Sequence, residues 1–151
     1  MPIHVDNLLI ASNSKSELAA VKSELAANFK IHNQGPTKSI LSIKIERDQL
    51  VRSVSLSQPG YIESMLEQFS MMECNPVLIL MDPGQKLSTK MSPDTPEGRL
   101  VMSKYPYQEL IGKLLYLNIA TWPNIAYVIS VLCCFIKNPG MDHWNAVKQV
   151  L

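Results

Sequence analysis

Apolar residues recur at several distinct spacings along the chain, and each spacing predicts an element. From Ile3 to Ala11 the run is apolar apart from His4, Asp6 and Asn7, which predicts a strand. Ser14-Lys15-Ser16-Glu17 has the form of a capping box, in which Ser14 accepts from a backbone N–H and Glu17 reaches back. Leu18, Val21, Leu25 and Phe29 follow at helical spacing, one apolar stripe on a polar helix. His32-Asn33-Gln34-Gly35-Pro36 has the composition of a turn. Two alternating runs, Ile40 to Glu46 and Val51 to Ser57, flank Arg47-Asp48-Gln49-Leu50 and predict a β-hairpin. Tyr61, Ile62, Met65, Leu66 and Phe69 then mark a helix that tolerates Pro59 in its first turn.

Residues 74–106 change character. Pro76, Pro83, Pro93, Pro96 and Pro106 lie here with Gly84 and Gly98, and no apolar period is sustained, so the segment is expected to connect over the surface. Beyond it, Leu110, Ile111, Leu114, Leu115 and Leu117 mark one helix. After Trp122-Pro123, the residues Ile125, Val128, Ile129, Leu132, Phe135 and Ile136 mark a second, which Asn138-Pro139-Gly140 ends. A third is expected to start near Asp142, a good N-cap, and to run to Leu151. Strands come early and helices late, the order of an α+β fold. The strand at Ile3 to Ala11 should join a small antiparallel sheet backed by the Leu18-Val21-Leu25 helix. The three late helices should form a separate bundle. The implied segments are 1–73, 74–106 and 107–151.

Composition narrows the function classes. The 151 residues are 46% hydrophobic and 18% charged, enough to build a core. Lys and Arg total 14 against 13 Asp and Glu, so strong autonomous nucleic-acid binding is not expected. Cys74, Cys133 and Cys134 have no zinc spacing and read as reduced, buried thiols of an intracellular protein, cytoplasmic or nuclear. The N-terminus lacks the pattern of a signal peptide. The longest apolar stretch, Ile125 to Ile136, is too short to span a membrane. A strand at residue 3 without lead-in leaves two readings open: an ordinary N-terminal strand, or upstream sequence that was lost.

Asp6 stands inside an apolar strand, where a carboxylate is costly to bury unless it is paired or binds a metal. On residue type alone, a strand-end Asp facing water is the simpler reading. The alternative is a metal-ligating carboxylate on a tight hairpin.

A colinear set of segments shifts that balance. His4 to Ser12 resembles the Tyr-Val-Asp-Asp box of copia-type reverse transcriptases with its Leu-Leu-Ile-Ala-Ser tail. Ile40 to Asp48 resembles the family's Phe-Leu-Gly-Ile-Glu-Ile-Glu-Arg-Asp stretch, and Ser55-Leu56-Ser57-Gln58 with Tyr61-Ile62 its Leu-Ser-Gln-x-x-Tyr-Ile. Tyr107 to Tyr116 resembles Tyr-Arg-x-x-Val-Gly-x-Leu-x-Tyr, and Ala120 to Tyr127 resembles Ala-Thr-Arg-Pro-Asp-Ile-Ala-Tyr. Asn138-Pro139 and His143-Trp144 complete the set, which covers essentially the whole chain in order.

The resemblance implies a piece of a Pol polyprotein from a retrotransposon, an element whose cycle includes DNA integration. The parent activity is RNA-directed DNA polymerisation with two Mg²⁺ ions, an RNA template and a DNA primer. It implies a partial palm over 1–73, a connector over 74–106, and a truncated thumb and start of connection over 107–151. The upstream polymerase half and the ribonuclease H domain would lie elsewhere. Asp6 would be the retained catalytic and metal-ligating carboxylate. Asn7 stands where the second Asp belongs, and its neutral amide is a poorer ligand for a hard cation. His4 replaces the family's Tyr. Ile40, Leu41 and Ser42 occupy the place of the primer grip, with Ser42 for the family's Gly. Trp122 and Asn124 replace an Arg and an Asp. These changes imply a chain that is inactive alone. A second reading is a recruited non-enzymatic protein that binds nucleic acid or another partner.

Overall fold

The computed structural model describes residues 3–4, 7–82 and 84–151, the first pair by backbone alone. The chain divides into two compact units, Met1–Ile40 and Leu41–Leu151. The architecture is α+β: short antiparallel strand pairs and six α-helices among the described residues.

The first unit holds β1 (Ile3–His4), β2 (Asn7–Leu8), α1 (Lys15–Asn28) and β3 (Ser39–Ile40). The single strand expected over Ile3 to Ala11 is instead two short strands. β1 and β2 pair antiparallel, with Ile3 opposite Leu8 and His4 opposite Asn7. An isolated strand leaves its backbone N–H and C=O groups without partners, and doubling back satisfies some of them locally. α1 begins where the capping pattern places it: Ser14 Oγ accepts from Glu17 N at 3.3 Å. Only half of the box forms. The Glu17 carboxylate accepts from Ser12 Oγ at 3.1 Å, and Ser14 N donates to that same Ser12 hydroxyl at 3.1 Å. The expected apolar backing is also absent, because no residue of α1 is buried. Alanine, leucine, lysine and glutamate make this helix by propensity, without requiring burial of its stripe.

The second unit opens with β4 (Ile43–Asp48) and β5 (Ser53–Ser57), an antiparallel hairpin registered from Lys44–Ser57 to Asp48–Ser53. Asp48 Oδ1 accepts from Leu50 N (2.9 Å) and Val51 N (3.3 Å), an Asx turn that sets the tip. The hairpin stays wet, with Val54 and Leu56 exposed. α2 (Pro59–Gln68) places Pro59 in its first turn, as expected.

The core of this unit joins Met65 of α2 and Met102 of α3 (Pro96–Met102) to three later helices. These are α4 (Tyr107–Ala120), α5 (Ala126–Cys133) and α6 (Met141–Lys148). α4 buries Tyr107, Leu110, Ile111, Leu114 and Leu117; α5 buries Val128, Ile129 and Leu132. The Tyr107 hydroxyl donates to Leu132 O at 2.8 Å, which satisfies its polar tip inside the core. Burial, and next the nearby Cys133 and Cys134, push the Tyr107 pKa up and keep the phenol neutral. The late helices are therefore not a separate bundle, since α2 and α3 share their core.

Residues 74–106 also differ from the expected surface connector. Residues 72–79 are exposed, but Leu80, Met81, Leu87 and Tyr105 pack against the core. Tyr105 lies 5.4 Å from Trp144, ring to ring. Side chains of the late segment tie down its backbone: Gln149 Nε2 donates to Ile79 O (2.8 Å) and Asn138 Nδ2 to Pro93 O (3.3 Å). The packed residues lack a period because they are held one at a time by helices elsewhere in the chain.

α6 begins two positions earlier than expected, with Gly140 rather than Asp142 at the N-cap and Asp142 in the first turn. A Cβ on Gly140 would fall 1.8 Å from the carbonyl oxygen of Met91, so close backbone approach demands glycine there. Two of the three cysteines depart from the buried expectation. Cys74 and Cys134 are exposed, and only Cys133 packs against the core, where burial and then Cys134 push its thiol pKa up. No described helix is long and apolar enough to cross a membrane.

Candidate functional site

The sequence-derived site residues fall in both units. Asp6 lies outside the described residues. Asn7 starts β2, is exposed, and pairs by its backbone with His4. Ile40 ends β3 in the first unit. Leu41 and Ser42 open the second unit and form a turn in which both residues are left-handed, with φ of 51° and 62°. Two consecutive positive φ values are the signature of a tight type I′ turn, which favours Gly, Asn or Asp. Ser42 stands where the resembled family has Gly, and its side chain makes that backbone strained.

The turn is held from a distance. The Tyr116 hydroxyl, on α4, donates to the carbonyl oxygen of Leu41. The Tyr116 ring meets Tyr61 of α2 edge-on at 5.2 Å. Tyr61 Oη donates to Lys113 O at 3.3 Å, and the Lys113 ammonium sits 5.9 Å from the centre of the Tyr61 ring, a cation–π distance. Burial, and then Tyr116, raise the Tyr61 pKa and keep its phenol neutral. One side of the second unit thus joins an exposed turn, two aromatic rings and a lysine.

Gly112 lies in the middle of α4, one residue before Lys113 and one turn before Tyr116. Nothing lies within 4 Å of where its Cβ would be. Glycine costs a helix interior roughly 1 kcal/mol relative to alanine. Among the described residues no neighbour explains it.

Other signature residues are structural. Gln58 is buried, and its Oε1 accepts from Thr121 Oγ1 at 2.8 Å, tying the start of α2 to the end of α4. His143 is fully buried, stacks 4.0 Å from Phe135 and accepts from Gly140 N through Nδ1 at 2.8 Å. Burial is the largest effect on its pKa and lowers it, against the raising influence of the Ser88 backbone and Asp142. Trp122 and Asn124 are exposed.

Among the described residues no three His, Cys, Asp or Glu side chains converge to hold a metal ion. Asn7 offers an exposed neutral amide. The described donor set does not fit a two-metal centre. Tyr61, Gly112, Lys113 and Tyr116 are not among the sequence-derived site residues. They sit within resembled motifs, but nothing in their spacing shows that Tyr116 reaches back to Leu41 across 75 positions.

A family model described as reverse transcriptase (RNA-dependent DNA polymerase) matches residues 1–83. The chain is 40% identical over 149 residues to the Retrovirus-related Pol polyprotein from transposon TNT 1-94 of Nicotiana tabacum, covering 99% of this chain and 11% of that protein. It is 28% identical over 151 residues to the Pol polyprotein from transposon RE2 of Arabidopsis thaliana, covering 100% and 10%. It is 26% identical over 153 residues to the uncharacterized mitochondrial protein AtMg00810 of Arabidopsis thaliana, covering 99% and 58%. The chain thus spans about a tenth of these two polyproteins' length. No solved structure matches it significantly. Matched through its first 83 residues by the family model, and along its length by copia-type Pol polyproteins, the chain belongs to the reverse transcriptase family as a retrotransposon fragment.

Proposed function

We propose that this chain is the primer-holding part of a copia-type reverse transcriptase and is inactive by itself. One observation carries the reading: the bond from Tyr116 to the Leu41 carbonyl, which couples α4 to the turn at the primer-grip position. The turn would meet the primer strand near its 3′ end. Lys113 would contact a phosphate, and Gly112 would let the sugar-phosphate backbone approach α4. Positioning of this kind supplies much of the rate in a polymerase. Residues 1–73 are assigned to the palm, 74–106 to a connector, and 107–151 to the thumb and start of the connection. Asp6 is assigned as the retained carboxylate and Asn7 as the degenerate position.

Reverse transcriptases act on nucleic acids and generally use divalent metal ions. In this chain Asn7 removes one expected Mg²⁺ ligand, and the family's third carboxylate belongs to an upstream strand. The RNA template, the DNA primer, the upstream polymerase half and the ribonuclease H domain are the partners this assignment calls for. The family membership does not favour a recruited, non-enzymatic role.

Two measurements test the reading. Primer extension on an RNA template should show no incorporation by the purified chain, with Mg²⁺ or Mn²⁺, and Asn7→Asp should not restore it. Template-dependent incorporation that is lost in Asp6→Ala would falsify the inactivity. Fluorescence anisotropy with a primer–template duplex at low ionic strength should show weak, salt-sensitive binding. Tyr116→Phe and Lys113→Gln should weaken it. Gly112→Gln should also weaken it while stabilising the fold, a combination that a purely structural role for Gly112 does not produce.

A further inference from the structure

At a sheet edge, backbone N–H and C=O groups stand ready to pair with another chain, and natural strands usually blunt such edges with charges, proline or a bulge. β5 has none of these. It is the outer strand of its sheet, with β4 on one side, and among the described residues no strand covers its other side. Its residues, Ser53-Val54-Ser55-Leu56-Ser57, include no charge and no proline, and the unbroken one-to-one register with β4 leaves no bulge. β4, by contrast, carries Lys44, Glu46, Arg47 and Asp48. Val54 and Leu56 are 61% and 51% exposed, so the apolar side chains of β5 are largely uncovered.

The pattern of β5 is also symmetric, with serine and apolar residues alternating about Ser55. Laid antiparallel against a second β5 with Ser55 opposite Ser55, serine faces serine and apolar faces apolar at every position. A shift by one residue sets each apolar side chain opposite a serine, and a shift by two shortens the overlap. Charge agrees with this register. The joined sheet runs β4-β5-β5-β4, and the row through Ser55 ends on Glu46 of each copy. Those carboxylates lie three strand spacings apart, about 14 Å, beyond the Debye length of about 8 Å at physiological ionic strength, so they hardly oppose pairing. In the same register the tip of each hairpin, where Leu50 and Val51 are exposed, runs toward the start of the other copy's α2. We propose that β5 is a docking edge for a second copy of this chain, the two strands pairing about a two-fold axis at Ser55 with Val54 against Leu56 and Ser53 against Ser57. Five residues a side bury less than the roughly 1,200 Å² of a stable interface, so the dimer is weak, with Kd on the order of 100 µM. β5 shares no residue with the Leu41-Lys113-Tyr116 surface, so this proposal stands apart from the primer-holding assignment.

Sedimentation velocity of the whole chain from about 10 µM to about 1 mM should show monomer and dimer and no larger species, because two-fold pairing uses up both edges. Val54→Lys, at an exposed position, should keep the circular dichroism and the urea midpoint and abolish the dimer over that range. Ser55 gives the sharper test, because it faces itself. Ser55→Glu alone should weaken the dimer about fivefold, since like charges then meet across the axis. Ser55→Lys alone should weaken it less, because Glu46 beside it offsets part of the repulsion. An equimolar mixture of the two variants should form a mixed dimer tighter than either variant forms alone, an outcome that loss of folding does not mimic. Should Val54→Lys unfold the chain, the mixture decides. Glu24→Lys, on the exposed α1, should leave the dimer unchanged. A chain that stays monomeric throughout, species larger than a dimer, a dimer that survives in folded Val54→Lys or is lost in Glu24→Lys, or a mixture no tighter than its components overturns the proposal.

Discussion

α1 and α4 are each fourteen residues long, and they meet opposite fates. Both carry leucines at helical spacing. α4 buries five side chains, all of them fully or nearly so, while α1 buries none. Val21 on α1 and Phe29 at its C-cap remain 36% and 64% exposed. Periodicity and propensity decide that a helix forms; burial depends on whether other elements present a matching surface. In the second unit that surface comes from α2, α3, α5 and α6 together, whereas among its described residues the first unit offers two-residue strands and a loop.

The contrast can be broken most directly at the leucines of the two helices. Leu114→Ala should cost about 3–5 kcal/mol in urea denaturation followed by circular dichroism, through lost transfer energy and a cavity. Leu25→Ala on α1 should cost under about 1 kcal/mol, because its site is only half-buried. Comparable losses at the two positions would mean that α1 is packed in solution as α4 is. The glycines sharpen the comparison next. Gly140→Ala should destabilise by roughly 2–3 kcal/mol, since its new methyl meets the Met91 backbone. Gly112→Ala, with open space around it, should stabilise by about 1 kcal/mol. If both substitutions destabilise, Gly112 has a structural reason within the chain after all. At the boundary between the units, Ser42→Gly should stabilise by about 1 kcal/mol through relief of the left-handed backbone. A loss of stability there would mean that the serine side chain holds the turn.

A pH series probes the buried histidine of the helical core. His143 has its pKa lowered in the folded chain, so the unfolded chain binds its proton more readily. Its contribution is complete above the ordinary imidazole value of 6.5 and is lost as pH falls from there through the folded pKa. Urea midpoints should therefore decline on acidification from pH 7, and His143→Gln should flatten that decline. An unchanged slope in the variant would place the acid sensitivity at other groups.

Much of the local structure was legible from spacing. The Ser14 cap, the Pro59 first turn, the hairpin around Asp48 and the leucine face of α4 all depend on residues within a few positions of one another. The strand from Ile3 to Ala11 was misread because an apolar run does not say whether the chain continues straight or pairs with itself. The segment 74–106 was misread because its packed residues answer to distant helices and keep no period of their own.

The sequence by itself determined the family, through motifs that recur in order along the chain, and it determined where most helices begin. It also showed that Asn7 and Ser42 depart from the family pattern, since those departures are matters of residue identity alone. Only the tertiary structure decided that Ser42 must adopt a left-handed backbone, that Gly140 makes room for Met91, and that Tyr116 reaches Leu41. Each of these depends on groups far apart in the chain or on backbone angles. Residue spacing encodes which side of an element is apolar, but not what that side will meet.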